Sequence, residues 1–505
     1  MNWKSWAAFA SRASTGYCAI HHASPLNYHS EYTNDPDSIA KRPPQTMANS
    51  RSPKKGLSLQ LSAITGLQIL VSFAMQWYVI MYFGAGVQTD ALYTGATIPQ
   101  LVTILLIESL TVVLVPLLAT SSEHELRERG WFLFMGVGIL FATISVVLYF
   151  TLPPLIPLIV PGFSHADKQR TVALAQIQVF GLIGGACYAV LAGMYQVRGR
   201  FVVPPAAIFL SALLSFAMLV WQLPRFGIRL AAWAQVFSTT LPAILLMPVL
   251  GPFSRPQLPR QLAKTIWARV RPLLLSKAYY MTSAPLDRIL ASFLAPGSIA
   301  IFELAGRFYG AVTRILSQGV VTPFIPRLSR LAHEQNWAEF RSQYRKQSVM
   351  VSVPSLAVVL TVIVAGLVAL RLLPATPARA VIGSLSAESL AKMFRVLVFM
   401  SGLLPCMALA NSLINGYYAK GDTRTPTQVG VIAYTMGIGV KIAGYYAGGI
   451  MGMAIAVSAY AVVYCIVLYI ILERQTGTLI AASVLASQLA PQGVIRAVDV
   501  TPAVP

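Results

Sequence analysis

The sequence predicts an all-α polytopic membrane protein of about twelve transmembrane helices, arranged as two six-helix parallel repeats around a central cavity. Three observations carry that prediction. The chain's 505 residues are 56% hydrophobic and only 11% charged, with a mean hydropathy of +0.64; a soluble chain of this length carries roughly 25% charged residues. Its apolar residues fall in runs of roughly 20 or more, the length that crosses a hydrocarbon layer about 30 Å thick. Short motifs of the first half also return in the second at a nearly fixed offset.

Taken in order, residues 1–56 are polar and mixed, with no apolar core of signal-peptide length, and read as a disordered cytoplasmic tail. Spans follow at approximately 58–82, 92–119, 131–151, 171–197, 203–222 and 230–250, the first lobe (57–251). The basic segment 252–271 reads as a cytoplasmic linker. The second lobe (272–472) holds spans at 272–294, 298–325, 348–370, 393–418, 427–446 and 450–472. Leu479–Leu489 is short and mild for a thirteenth span, so 473–505 reads as a cytoplasmic C-terminal tail. Pro99, Pro116, Pro285, Pro323 and Pro405 lie inside spans and mark kinks.

A net charge of +21 would point to nucleic acid in a soluble protein. Here the lysines and arginines crowd the loops on one side, 20 against 7, which places both termini in the cytoplasm and excludes nucleic acid as partner. Cys18, Cys187, Cys406 and Cys465 are far apart in sequence, so neither disulfides nor a metal site is indicated. All six histidines fall outside the spans, which removes a histidine proton relay.

The repeat is visible in turn chemistry. Tyr195-x-x-Arg198-Gly199 with Pro204 returns as Tyr417-x-x-Lys420-Gly421 with Pro426, an offset of 222; Phe83 and Pro116 return as Phe293 and Pro326, an offset of 210. Locally the first pattern is ordinary: a cation sits at the negative end of a helix, glycine closes it, and proline opens the next. Its recurrence in two six-span halves is more specific. Six is even, so the halves share one orientation.

Charges inside spans point to the working surface of a transporter. Glu303, Arg307 and Arg314 differ by four and seven, one helical stripe. An ionised group at the bilayer centre costs roughly 3 kcal/mol or more, so these face a wet cavity or one another. Arg307 lies about 15 Å into its span and reads either as a cavity cation or as the structural partner of Glu303. Arg314 reads as a phosphate contact or as a side chain snorkelling to the surface. Arg288 is near enough to the outer end to snorkel, and Asp287 beside it cannot face it on one helix. Glu108 either pairs with a cation or binds a coupling ion. Lys277 reads as snorkelling, and Asp90 as a helix N-cap.

At FGAGVQTDA (83–91), VPLLA (115–119), PGF (161–163), RGRFVVPP (198–205), DRILASFL (287–294), IPRLSRLAHEQNWAEFRSQYRK (325–346) and YYAKGDTRTP (417–426), the chain resembles the MviN/MurJ family of lipid II flippases, relatives of the polysaccharide-repeat-unit flippases and the MATE antiporters. The resemblance spans about 57–472. It implies two lobes that alternate access and move a polyprenyl-diphosphate-linked saccharide across the bacterial inner membrane, without catalysis. It implies no cofactor beyond a coupling ion (Na+ or H+) or the membrane potential. The implied partners are membrane lipids, the lipid-linked glycan and polysaccharide assembly machinery, around a monomer. The resemblance carries over the family's eighth-span arginine at Arg307, within AGRFYG; from the charges in the spans, Arg307 with Arg288 or Arg314 then binds the diphosphate, and Glu108, Glu303 and Asp287 are the acidic or coupling candidates. The family's arginines of the first two spans match Ile69, Met75 and Thr103 here, and its last two spans have no counterpart. That departure favours an exopolysaccharide repeat unit over lipid II. A MATE-type cation or drug antiporter and a membrane glycan polymerase or transferase are the alternatives.

Overall fold

In the computed structural model, which describes residues 55–119, 123–253, 260–372 and 384–489, the regular elements are all helical among those residues. The first is α1 (Lys55–Phe83). The second span is built from α2 (Val87–Gly95), α3 (Thr97–Val102), a π-helical turn (Thr103–Ile107) and α4 (Glu108–Ala119). Then come α5 (Glu123–Ile159), α6 (His165–Gln178), α7 (Gly181–Val197), α8 (Val203–Phe226) and α9 (Ile228–Leu246). The chain resumes with α10 (Arg260–Met281), α11 (Ser283–Ser292) and α12 (Ser298–Leu316), followed by a second π-turn (Ser317–Val321) and a 3-10 turn (Thr322–Phe324). It closes with α13 (Ile325–His333), α14 (Trp337–Leu372), α15 (Ala387–Met400), α16 (Leu403–Ala419) and α17 (Arg424–Leu489).

Proline marks three of the breaks within spans. Its ring clashes with the carbonyl four residues earlier. For Pro99, Pro285 and Pro405 those carbonyls belong to Gly95, Met281 and Ser401, and each lies at or beside a break, after α2, α10 and α15. The helix α4 runs through Pro116 without breaking, and Pro323 falls in the 3-10 turn.

Element boundaries make the repeat far more regular than residue identities do. The two π-turns are offset by 214 residues, and α4 maps onto Thr322–His333 with the same offset, as does the start of α5 onto α14. Beyond the loop before α6 the offset becomes 222: α6 maps onto α15 and α7 onto α16 at both ends. Ser164 and Ser386, also 222 apart, each cap the helix that follows by accepting an N–H from three residues on. The left-handed glycines Gly199 and Gly227 return as Gly421 and Gly449. The 210-residue offset holds at Phe83 and Phe293, since α1 ends at Phe83 and α2 begins at Val87 while α11 ends at Ser292 and α12 begins at Ser298, offsets of 209 and 211. Pro116 and Pro326, by contrast, sit four residues out of the 214-residue register of their helices, about one helical turn.

Nine helical segments among the described residues are long and apolar enough to cross a membrane, against the twelve expected. Most of the difference has a physical source. The last segment, Arg424–Leu485, has 62 residues, about 93 Å at 1.5 Å per residue, too long for one crossing. It folds back at Gly448 and Gly449, the latter at φ 55° and ψ −130°. The backbones of Gly444 and Gly452 meet so closely that a Cβ on either would overlap the other's carbonyl. Without that pair of glycines the two arms could not lie together. Helices α10 and α12 carry charges that remove them from a purely apolar tally.

Two further expectations change. The helix α17 continues to Leu489, so 473–489 is helix rather than tail; its Ala- and Leu-rich sequence lacks any break. The expected linker 252–271 is helical from Arg260 onward. Cys406 and Cys465, 59 positions apart in sequence, meet where α16 packs on the second arm of α17, and both are free thiols. The expected N-terminal tail lies outside the described residues except for Lys55 and Gly56.

Contacts divide the chain into two compact units, 1–300 with 383–385, and 301–382 with 386–505. In the first, Leu92, Leu174, Leu219 and Leu223 are buried together where α2, α6, α8 and α9 meet, and α10 packs on α4. In the second, Leu328, Phe340, Tyr344, Leu413, Tyr417 and Leu468 form the core of α13, α14, α16 and α17. Both units present large apolar side chains outward, among them Phe150, Trp221, Leu360 and Ile466. That pattern requires a hydrocarbon solvent.

Candidate functional site

In the first unit the polar groups collect around the broken second span. Asp90 sits in the first turn of α2 and is buried, and it is not the N-cap the sequence predicted; that position belongs to Gly86. Its carboxylate instead accepts the N–H of Gly297 at 2.6 Å and of Ala300 at 2.7 Å. It therefore caps the start of α12 from more than 200 residues away, where four N–H groups lack intrahelical partners and the helix dipole is positive.

Arg288 does not snorkel. It is 4% exposed, and its Nε donates to Thr97 Oγ1 at 3.2 Å. Thr97 opens α3 directly after the break, so the break and the buried guanidinium meet at one point. Asp287, its neighbour in α11, is partly buried. Glu108, the first residue after the π-turn, pairs with Lys277 of α10 at 3.5 Å, and Lys277 Nζ also donates to the Ile104 carbonyl at 3.4 Å. Lys277 is thus engaged inside the unit instead of reaching for the surface.

In the second unit, Arg307 Nε donates to Glu303 Oε1 at 2.7 Å, an i,i+4 pair whose side chains are 27% and 17% exposed. Tyr309 anchors the next turn by donating to the Leu397 carbonyl at 2.5 Å. Arg314, one turn beyond, is exposed. The π-turn that follows carries Ser317, which accepts from Asn411 of α16 at 3.4 Å. The structure thus brings Glu303 and Arg307 together in one unit and Glu108 close to Lys277 in the other, and it buries Arg288.

A separate polar lock closes one end of the second unit. Glu473 accepts from Arg341 at 2.6 Å and from Arg345 at 2.7 Å, joining α14 to α17. Beside it Lys420 donates to Gln475 at 2.8 Å and lies over the Tyr417 ring. Burial lowers the Lys420 ammonium to about 8, with nearby Asp422 opposing that shift. Among the described residues no group of three or more metal-ligating side chains occurs.

Sequence reasoning passed over Asn411 and Glu473 and gave Lys277 and Asp90 other roles. The partners of Asp90 and Lys277 lie more than 160 residues away, and no local pattern announces them. Glu473 had a signal: an acid just past an apolar span, with Arg341 and Arg345 on one face of another helix.

The model of the family described as lipid II flippase MurJ matches residues 79–498. A probable lipid II flippase MurJ of Rhizobium tropici is 24% identical over 433 residues, covering 80% of this chain and 78% of that protein. One of Vibrio cholerae is 27% identical over 190 residues, 36% of this chain and 34% of that protein, so the chain matches about a third of that relative's length. Among solved structures, an inward closed lipid II flippase MurJ superposes with TM-score 0.68 at 15% identity, covering 87% of this chain and 94% of that one. An inward-facing multidrug resistance MATE transporter of the MOP superfamily superposes with TM-score 0.67, also at 15% identity, covering 84% and 99%. Those two likenesses establish the fold, and the family match establishes kinship: the chain belongs to the MurJ lipid II flippase family.

Proposed function

We propose that this protein translocates a polyprenyl-diphosphate-linked saccharide across the bacterial inner membrane by alternating access of its two lobes, with both termini in the cytoplasm. Arg307 is the principal diphosphate ligand, with Arg288 and Arg314 as the further candidates. The observation that carries the reading is the Glu303–Arg307 pair in a span: the acid fixes the guanidinium through Nε, while the side chain stays 27% exposed. A planar guanidinium held that way suits a diphosphate, whose oxygens accept paired, charge-assisted hydrogen bonds. The glycan is a lipid II-like precursor or an exopolysaccharide repeat unit; the two share the diphosphate and differ in the sugar. Energy comes from a coupling ion (Na+ or H+) or the membrane potential, the protein acts as a monomer without chemical catalysis, and polysaccharide assembly enzymes are its neighbours. The antiporter alternative needs acids available to a cationic drug, whereas Glu303 is held by Arg307 at 2.7 Å.

Binding selectivity tests this. Purified protein in lipid nanodiscs should bind undecaprenyl-diphosphate-linked saccharides, and undecaprenyl monophosphate at least tenfold more weakly. Titration with lipid II and with a lipid-linked exopolysaccharide unit then assigns the glycan. Preference for a lipophilic cation over every diphosphate lipid would overturn the proposal.

A further inference from the structure

Glu303–Arg307 is not the sole ion pair placed deep within a span, and the other has a different character. Lys277 Nζ lies 3.5 Å from Glu108 Oε2 and 3.4 Å from the Ile104 carbonyl. Both distances exceed the roughly 2.7–2.9 Å of a settled charge-assisted hydrogen bond. The Glu108 side chain is 56% exposed and that of Lys277 32%, against 17% and 27% for Glu303 and Arg307. Glu108 is the deep member: it lies about 16 Å from Ala119 at 1.5 Å per residue, and Lys277, five residues into the span expected at 272–294, reaches that depth by lying beside it. A charged pair that is both deep and exposed is not solvated by lipid. Its open side meets water or a polar ligand.

The π-turn explains why the cation rests there. Widening the helix at Thr103–Ile107 disturbs the regular ladder and lets the Ile104 carbonyl accept from outside its own helix. An ammonium has three donors, and its two protein contacts here are both long.

We infer that Lys277 is a second anion-binding cation on the substrate's path, and that Glu108 is its exchangeable counter-ion. A phosphate oxygen of the lipid-linked diphosphate takes the place of the Glu108 carboxylate on Nζ, and the displaced carboxylate, already more than half exposed, turns to water. Lysine fits this task because a compact ammonium on a flexible stem binds phosphate as a point charge and changes partners without the geometric demands of a guanidinium. The inference rests on the flippase reading and deepens it by giving the first unit an anion-binding cation of its own.

The test uses the full chain in nanodiscs, with undecaprenyl diphosphate as the probe and its dissociation constant as the readout. Lys277→Met should weaken binding about tenfold, and Lys277→Arg should keep most of it. Glu108→Gln removes the competing carboxylate and should tighten binding about threefold, the scale of an exposed ion pair. The double variant Lys277→Met with Glu108→Gln has no stranded charge and should bind as weakly as Lys277→Met alone. Weaker binding in Glu108→Gln would overturn the inference and make the pair a brace. Wild-type affinity in Lys277→Met, alongside lost affinity in Arg307→Ala, would overturn it while leaving the flippase reading standing. Absence of diphosphate binding in the wild type would overturn both.

Discussion

Truncating Arg307 separates two roles that one residue holds, because its partner is known. The pair is short, at 2.7 Å, and its side chains are 27% and 17% exposed. Exposed pairs contribute about 0–1 kcal/mol, and breaking a fully buried one costs about 3–5 kcal/mol. This half-buried case falls between, at about 2 kcal/mol for Arg307→Ala or Glu303→Ala, roughly a 30-fold loss in the folded-to-unfolded ratio. The double alanine variant strands no charge and should regain most of that stability. Thermal unfolding of purified protein in one detergent measures the cycle. Transport per folded molecule is the second readout, and there the double variant should stay inactive, while Arg307→Lys recovers only part because it keeps charge but loses the fork. Restored transport with alanine at 307 would refute the reasoning and leave Arg307 as architecture.

Other elements yield outcomes as definite. Asp90→Asn exchanges one accepting oxygen for an amide donor and leaves Gly297 or Ala300 N–H without its partner; unfolding should fall by about 1–3 kcal/mol, and an unchanged Tm would show that the cap is incidental. Gly449→Val forces a branched residue to φ 55° and should destabilise by about 1–3 kcal/mol, with Gly448→Ala, at φ −156°, much milder. The folded Lys420 titrates near 8 against an ordinary 10.5, so between those values the unfolded chain holds more protons. Stability attributable to this group should therefore rise with pH from about 8 to 10.5, and Lys420→Met should remove that rise in Tm-versus-pH curves.

The fold was legible where local chemistry repeats. The turn at Arg198-Gly199 and its return at Lys420-Gly421 set an offset of 222, and the helices α6 and α7 obey it to the residue. Phe83 and Phe293 mark equivalent helix ends, whereas Pro116 and Pro326 are a chance pair, four residues out of the register of their helices. Helix breaks at Pro99, Pro285 and Pro405 followed from the proline ring, whereas the π-turns at 103 and 317 have no comparable residue signal.

The site was less legible. Glu303 and Arg307 are i,i+4 and declare each other, so their pairing could be foreseen. Arg288 looked close enough to an end to snorkel; packing of α11 buries it against Thr97 instead, which only tertiary structure decides. Thr103 offers no charge where family resemblance led one to expect an arginine, yet Lys277 supplies an ammonium at the adjoining Ile104 from another helix. A cation delivered in space and not in sequence register is invisible to motif alignment.

Translocation by the purified protein tests the central claim most directly. Proteoliposomes are loaded on both leaflets with a fluorescent saccharide on a polyprenyl diphosphate, and an impermeant quencher is then added outside. With wild-type protein nearly all fluorescence should be lost, since headgroups from the inner leaflet arrive outside, whereas Arg307→Ala vesicles should retain about half. Half retained with folded wild-type protein, under every imposed Na+, H+ or potential gradient, would contradict the account.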